Sequence, residues 1–251
     1  MIHLKTKEEI AIMAEGGKIL AVVLAEVEKM VKPGITTLEL DRASEVLILK
    51  YGAKSAFKGY EGFPYSLCAS VNDVIVHGFP SNYKLQNGDI VGLDLGVLHK
   101  GYNTDMAVTV AVGEVSYEAK RLILVTKKAL RIGIKKARAG ITTGDLGNTI
   151  QRYIEDQGYG VVRDLCGHGI GKKVHEDPQI PNYGQRHKGI ELKEGMVICI
   201  EPMVTIGDWH LRKAQDGYGF ATRDGSLSAH FEHTIVITKD GSKILTSFEP
   251  R

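Results

Sequence analysis

The sequence predicts an α+β fold built twice over, and three observations carry that prediction. Apolar residues recur at helical spacing in four segments. Strict alternation marks half-buried strands, above all in residues 90–110, IVGLDLGVLHKGYNTDMAVTV. A stretch beginning at residue 32 returns at an offset of 106. Helical and strand periods together with a long internal repeat point to helices and antiparallel strands arranged as two copies of one unit.

Taken in order, the first helix covers 7–31, where apolar positions three and four apart are interrupted by Lys and Glu. The apolar run from Ile19 to Ala25 is bracketed by Glu15, Lys18 and Glu26. It therefore reads as a globular helix, neither a leader nor a membrane span. The second helix, 37–51, follows KPGITT; Thr37 is the expected cap and the glycine at 52 the expected stop. Residues 90–110 form a hairpin joined by a Gly/Asn-containing turn. The third helix, 117–138, buries Leu122, Val125, Ala129 and Ile132 and turns its many Lys and Arg to solvent. RAGITT then introduces a fourth helix, 143–157, with Thr143 as cap and glycine at 158.

The repeat extends into the strands. NGDIVGLD (87–94) aligns with EGMVICIE (194–201), so Asp94 corresponds to Glu201. A second strand begins with an acid in each half, at Asp105 and at Glu232. Halves of roughly 1–113 and 114–251 are expected to pack as one domain, and an approximate two-fold axis between them brings four carboxylates together.

Those acids are the puzzle of the sequence. Strands are depleted in Asp, and an ionised carboxylate withdrawn from water is costly unless compensated. Along a strand, Asp94 shares a face with Gly92 and Gly96, and Asp105 with Ala107, Thr109 and Ala111. The small residues on that face leave room for an ion or ligand, while Val91, Leu93, Leu95, Met106, Val108 and Val110 point the other way. Four converging carboxylates cannot all stay ionised without cations, and two divalent ions neutralise them. His168, between glycines in DLCGHGIGKKVHEDP, supplies a nitrogen donor to an oxygen-rich set suited to Mn, Fe, Co or Zn. His175 lies in the same loop.

Composition narrows the class. A formal net charge of +2 over 251 residues provides no basic field for nucleic acid. Three cysteines, Cys68, Cys166 and Cys199, make no even disulfide set and no CxxC pair, which fits a reducing, cytoplasmic setting. Cys166 and Cys199 are read as core residues.

The motifs HGFP at 77, DLG at 94, NTD at 103–105, CGHGIG at 166–171, HEDP at 175, IEPM at 200 and SAHFEHTIVIT at 228 resemble, in order and over nearly the whole chain, the type I methionine aminopeptidase family. The resemblance implies the pita-bread fold, with two pseudo-symmetric halves around a central antiparallel sheet. It implies that Asp94, Asp105, His168, Glu201 and Glu232 ligate two divalent metals, with Asp105 and Glu232 bridging. It further implies hydroxide attack on the first peptide bond, Glu201 shuttling the proton, His175 stabilising the oxyanion and His77 orienting the amide. Tyr60, Phe63, Cys68, Tyr218 and His77 match the methionine pocket. The implied substrate is the N-terminal Met of nascent polypeptides near the ribosome when the second residue is small, acted on by a monomer without nucleic-acid or membrane binding.

Prolidases, aminopeptidase P and creatinase share the fold but carry a further N-terminal domain, for which no room is expected here. Type II methionine aminopeptidases insert a helical subdomain between the last two acidic ligands, whereas 31 positions separate Glu201 from Glu232. A noncatalytic peptide-binding module is disfavoured because every ligand position is filled. The sequence departs from the family at Val174, often aromatic, at Tyr218, tryptophan in some members, and at His230, commonly glutamine.

Overall fold

The computed structural model describes residues 2–247. In the first half, α1 (Lys7–Met30) and α2 (Thr37–Lys50) precede β1 (Lys54–Ser55), β2 (Leu67–Val71), β3 (Val74–Val76) and the hairpin β4 (Ile90–His99) and β5 (Tyr102–Ala111). In the second half, α3 (Tyr117–Lys136) and α4 (Thr143–Asp156) precede β6 (Gly160–Val161), β7 (Gly167–Gly169), β8 (Glu176–Ile180), β9 (Val197–Ile200) and β10 (Met203–Thr205). The short strands β11 (Leu211–Lys213), β12 (Phe220–Thr222) and β13 (Ser228–His230) follow, then β14 (Glu232–Ile237) and β15 (Ser242–Ile244). All four helices lie within two residues of their expected bounds.

The repeat is visible in backbone detail. Gly34 and Gly140 donate to the carbonyls of Leu85 and Leu192, and these leucines donate back to Ile35 and Ile141. Both glycines have positive φ, +93° and +85°, which favours glycine at the matching turns. The caps differ from expectation by one residue. Thr36 and Thr142 are the N-caps, each completing a capping box with Glu39 or Asp145. Thr37 and Thr143 instead accept from the main chain of Ser81 and Ile190. In GITT the first threonine ties up the helix end and the second ties down the segment that leads toward the next strand.

The main sheet runs β1-β4-β5-β14-β9-β7-β8, with β2 on β4 and β15 on β14. β5 and β14 pair antiparallel and join the halves, Ala107 opposite Glu232 and Met106 opposite His233. The apolar face of the hairpin packs under the first helix pair, where Leu20, Leu24 and Leu40 meet Val91, Leu93 and Leu95. The equivalent face of the second half lies under α3 and α4, with Leu122, Ile150 and Ile154 against Ile198, Ile200 and Ile235. Helices thus cover one face of the sheet and leave the other for the acids.

The hairpin turns at Lys100 and Gly101, both at positive φ, the backbone that two-residue hairpin loops require. Asn103, expected in the turn, lies within β5 and is buried. Its main-chain and side-chain N–H groups both donate to the carbonyl of Gly171, 2.7 and 2.9 Å away. That clamp ties the hairpin of the first half to the glycine-rich loop of the second.

Candidate metal centre and substrate cavity

Strand register brings the acids together. Asp94 on β4 and Glu232 on β14 both stand opposite Ala107 of β5, so two carboxylates flank one methyl side chain in a single row. Asp105, two residues before Ala107, lies on the same face. Glu201 follows β9 directly, next to Ile200, which pairs with His233. Carboxylate oxygens of Asp94, Asp105 and Glu232 lie within 4.8 Å of one another, and so do ligand atoms of Glu201, His230 and Glu232. The Nε2 of His168 is 3.5 Å from Glu201. Its Nδ1 lies 2.9 Å from the carbonyl of Gly169; donation there leaves Nε2 as the free lone pair facing the acids.

Main-chain hydrogen bonds hold this row. Thr234 Oγ1 accepts from the N–H of Asp105 and donates to its carbonyl, at 2.9 and 2.8 Å. Asn182 donates to the carbonyl of Glu201. The side-chain oxygens Asp94 Oδ1, Asp105 Oδ1 and Glu232 Oε1 are buried and have no hydrogen-bond partner. Burial pushes the carboxyls of Asp105 and Glu232 well above the usual carboxylate range, and repulsion from the neighbouring acids adds to it. Glu201 is pushed well up and Asp94 is raised, in both cases chiefly by burial. Burial acts oppositely on the imidazoles, holding His168 at about 3 and His77 at about 4, so both are neutral at pH 7. Unpartnered carboxylate oxygens beside neutral imidazoles form a donor set that could hold a cation.

The cluster forms the floor of a cavity of about 1110 Å³. Every site residue singled out from the sequence borders it: the five candidate ligands, His77, His175, Tyr60, Phe63, Cys68 and Tyr218. One wall is aromatic. Phe63 lies edge-on to Phe57 and Phe79, and Tyr218 stacks on Phe79 at 4.9 Å. Buried Val174 and Cys68 complete it. The small residues of the hairpin have a different use from the one expected. A side chain at Gly96 would collide with Phe57, and one at Gly92 would contact Ser70. Gly96 thus admits the Phe57 ring, whereas the contact at Gly92 is an ordinary one. Cys166, expected in the core, is half-buried at the cavity edge, whereas Cys199 is fully buried and burial keeps its thiol protonated.

His175 stands above His168 with ring centres 4.4 Å apart, and its Nδ1 is 3.0 Å from the hydroxyl of Tyr60. It is open to the cavity, and partial desolvation holds its pKa below the ordinary value. His77 ends β3 with φ of +60°, a left-handed backbone unusual outside glycine that directs the chain into Gly78. A side chain at 78 would strike the carbonyl of Ala69. In the CGHGIG segment, glycines 167 and 169 are required because the carbonyls of Cys199 and Asp177 lie where their Cβ atoms would be.

Sequence reasoning missed the supports that act across the chain: Thr234, Asn182, and a partly buried ion pair between Lys5 and Glu176 at 2.7 Å. Lys5 reaches from the segment before α1 to the residue after His175. Its proximity to KTKEE offered no local sign of that partner.

A doubly built fold with a buried carboxylate and imidazole cluster defines a metallopeptidase, and residues 11–239 match metallopeptidase family M24. The chain is 49% identical to a methionine aminopeptidase of Clostridium perfringens, covering 98% of this chain and 99% of the relative. It is 46% identical to methionine aminopeptidase 1 of Bacillus subtilis, covering 98% and 99%. The crystal structure of a methionine aminopeptidase from Thermotoga maritima superposes with a TM-score of 0.97 at 45% identity, covering 99% of this chain and all of that one. A prolidase from Pyrococcus furiosus matches at a TM-score of 0.79 and 29% identity, with 98% of this chain but 66% of the prolidase covered. The chain belongs to the methionine aminopeptidases of family M24 and has their pita-bread fold.

Proposed function

We propose that this enzyme removes N-terminal methionine from polypeptides whose second residue is small, with two divalent cations held by Asp94, Asp105, His168, Glu201 and Glu232. The observation that carries the reading is the set of buried, unpartnered oxygens on Asp94, Asp105 and Glu232, whose converging charges divalent cations compensate. Bound cations, of Co, Mn, Fe or Zn, supply Lewis acidity that polarises the scissile carbonyl and acidifies water.

The remaining work falls to the chain. The soft aromatic wall of Phe63, Tyr60, Tyr218 and Cys68 accepts an unbranched thioether side chain. Glu201, a carboxylate when cations are bound, takes up the proton of the attacking water and releases it to the leaving amine nitrogen. When Tyr60 donates to Nδ1 of His175, the ring proton sits on Nε2, the tautomer that can donate to the developing oxyanion. His77, held neutral by burial, orients the scissile amide.

The enzyme acts as a single-domain monomer in the cytoplasm, on nascent chains near the ribosome. No described helix is long and apolar enough to cross a membrane. Initial rates on tripeptides test the reading. Met-Ala, Met-Gly and Met-Ser peptides are cleaved, Met-Lys and Met-Leu poorly, and a chelator abolishes all activity. Comparable rates on Ala-Ala peptides, a need for proline at position two, or full turnover in verified metal-free protein would refute it.

A further inference from the structure

His230 lines the cavity, and the mechanism above leaves it unused. Its main chain is pinned: the N–H donates to Thr109 Oγ1 at 2.9 Å, and that hydroxyl donates back to the His230 carbonyl at 2.8 Å. The residue also pairs with Met203 across β10 and β13. Its side chain is 3% exposed, and its Nε2 has no hydrogen-bond partner. What Nε2 faces is Glu201 at 3.6 Å and Glu232 at 3.8 Å, too far for direct hydrogen bonds. The three ligand atoms lie within 4.8 Å of one another, as donors round one cation do. His168 Nε2 approaches the same Glu201 by its other oxygen, at 3.5 Å.

We propose that His230 is a further metal ligand, its Nε2 joining His168, Glu201 and Glu232 at one of the two cation positions. This rests on the reading that the cluster holds divalent cations, and adds an asymmetry to it. One position then offers two imidazoles beside carboxylates. The other, formed by Asp94 and the shared Asp105 and Glu232, offers oxygen alone. Imidazole donors suit Zn, Co and Fe, whereas all-oxygen sets suit Mn and Mg, so the two positions discriminate between ions.

X-ray absorption at the zinc edge, on metal-free protein given one equivalent of Zn²⁺, counts imidazoles per zinc. The expected result is two in the wild-type protein and one in His230→Gln, which places an amide oxygen near the same point. By calorimetry, zinc affinity should fall in the variant by at least the roughly 10- to 100-fold that loss of an outer-shell partner costs, and manganese affinity by less. One imidazole in the wild-type protein, or two in both proteins, overturns the proposal while leaving the metal reading intact. Wild-type protein that binds no zinc removes both. Should the variant fail to fold, the wild-type spectrum alone decides.

Discussion

Replacing Asp105 by Asn should stabilise the metal-free protein and lose that advantage once metal is bound. The Asp105 carboxylate lies within 4.8 Å of oxygens on Asp94 and Glu232. Two unit charges at that distance repel by about 3.5 kcal/mol at an effective dielectric constant near 20. Its pKa in the folded protein is raised, so the fold prefers the protonated acid. The associated stability is present below pH about 4, where the unfolded chain is also protonated, and is lost as pH rises through the folded pKa. Metal-free wild-type protein is therefore weakened at neutral pH, and Asn, uncharged and of the same shape, relieves the strain. The Thr234 clamp engages only the Asp105 main chain and survives the change. With a relief of about 2–3 kcal/mol and about 2–4 °C per kcal/mol for a chain of this size, the metal-free variant should melt roughly 5–10 °C above wild type at pH 7.5. The difference should vanish near pH 4. Metal at 100 times its dissociation constant adds about 2.7 kcal/mol to the wild-type protein, and the variant should lose most of that gain. Calorimetric melting of chelator-treated and metal-loaded proteins at both pH values reads all four numbers. A metal-free variant less stable than wild type at pH 7.5 would show that Asp105 is held by structural partners, and the charge argument would fall.

Other outcomes follow from single contacts. His175→Ala should keep its metal while kcat falls by about 10²- to 10³-fold, the usual cost of one oxyanion donor; Tyr60→Phe, which removes only the tautomer-setting hydroxyl, should lose about 2- to 12-fold. Unchanged kcat in both, with metal content verified, would exclude that role. Lys5→Met breaks the partly buried pair with Glu176 and should cost about 1.5–3 kcal/mol of stability, measured by urea denaturation; a loss below about 0.5 kcal/mol would mean that the pair is not a fastening of the His175 loop. Asp145, held at about 2 by the Thr142 main chain in its capping box, contributes stability above its unfolded pKa near 4 that is lost as pH falls toward 2. Asp145→Ala should therefore cost about 1 kcal/mol at pH 7 and nothing near pH 2, and a gap independent of pH would contradict the charged cap.

Helices and site candidates were legible from short-range patterns, because a helix's face, caps and stop are set by residues within a few positions of one another. GITT with glycine before and after each helix announced both α2 and α4, and the pairing of Asp94 with Glu201 followed from a repeat that needs no coordinates. The one-residue error in the caps has the same origin. Either threonine of GITT can cap a helix, and only Ser81 and Ile190, packed against Thr37 and Thr143, assign the second one elsewhere.

The sequence by itself determined that each half would carry two acids on strands, that one face of the hairpin was apolar and the other small, and which histidines flanked glycine. The tertiary structure alone decided that Ala107 would stand between Asp94 and Glu232, that Lys5 would reach Glu176, and that the unpartnered Nε2 of His230 would face two glutamates. Alternation along one strand is a property of neighbouring residues. Register between β5 and β14, more than a hundred residues apart, is set by how both apolar faces settle beneath their helices, and that balance exists only in the folded molecule.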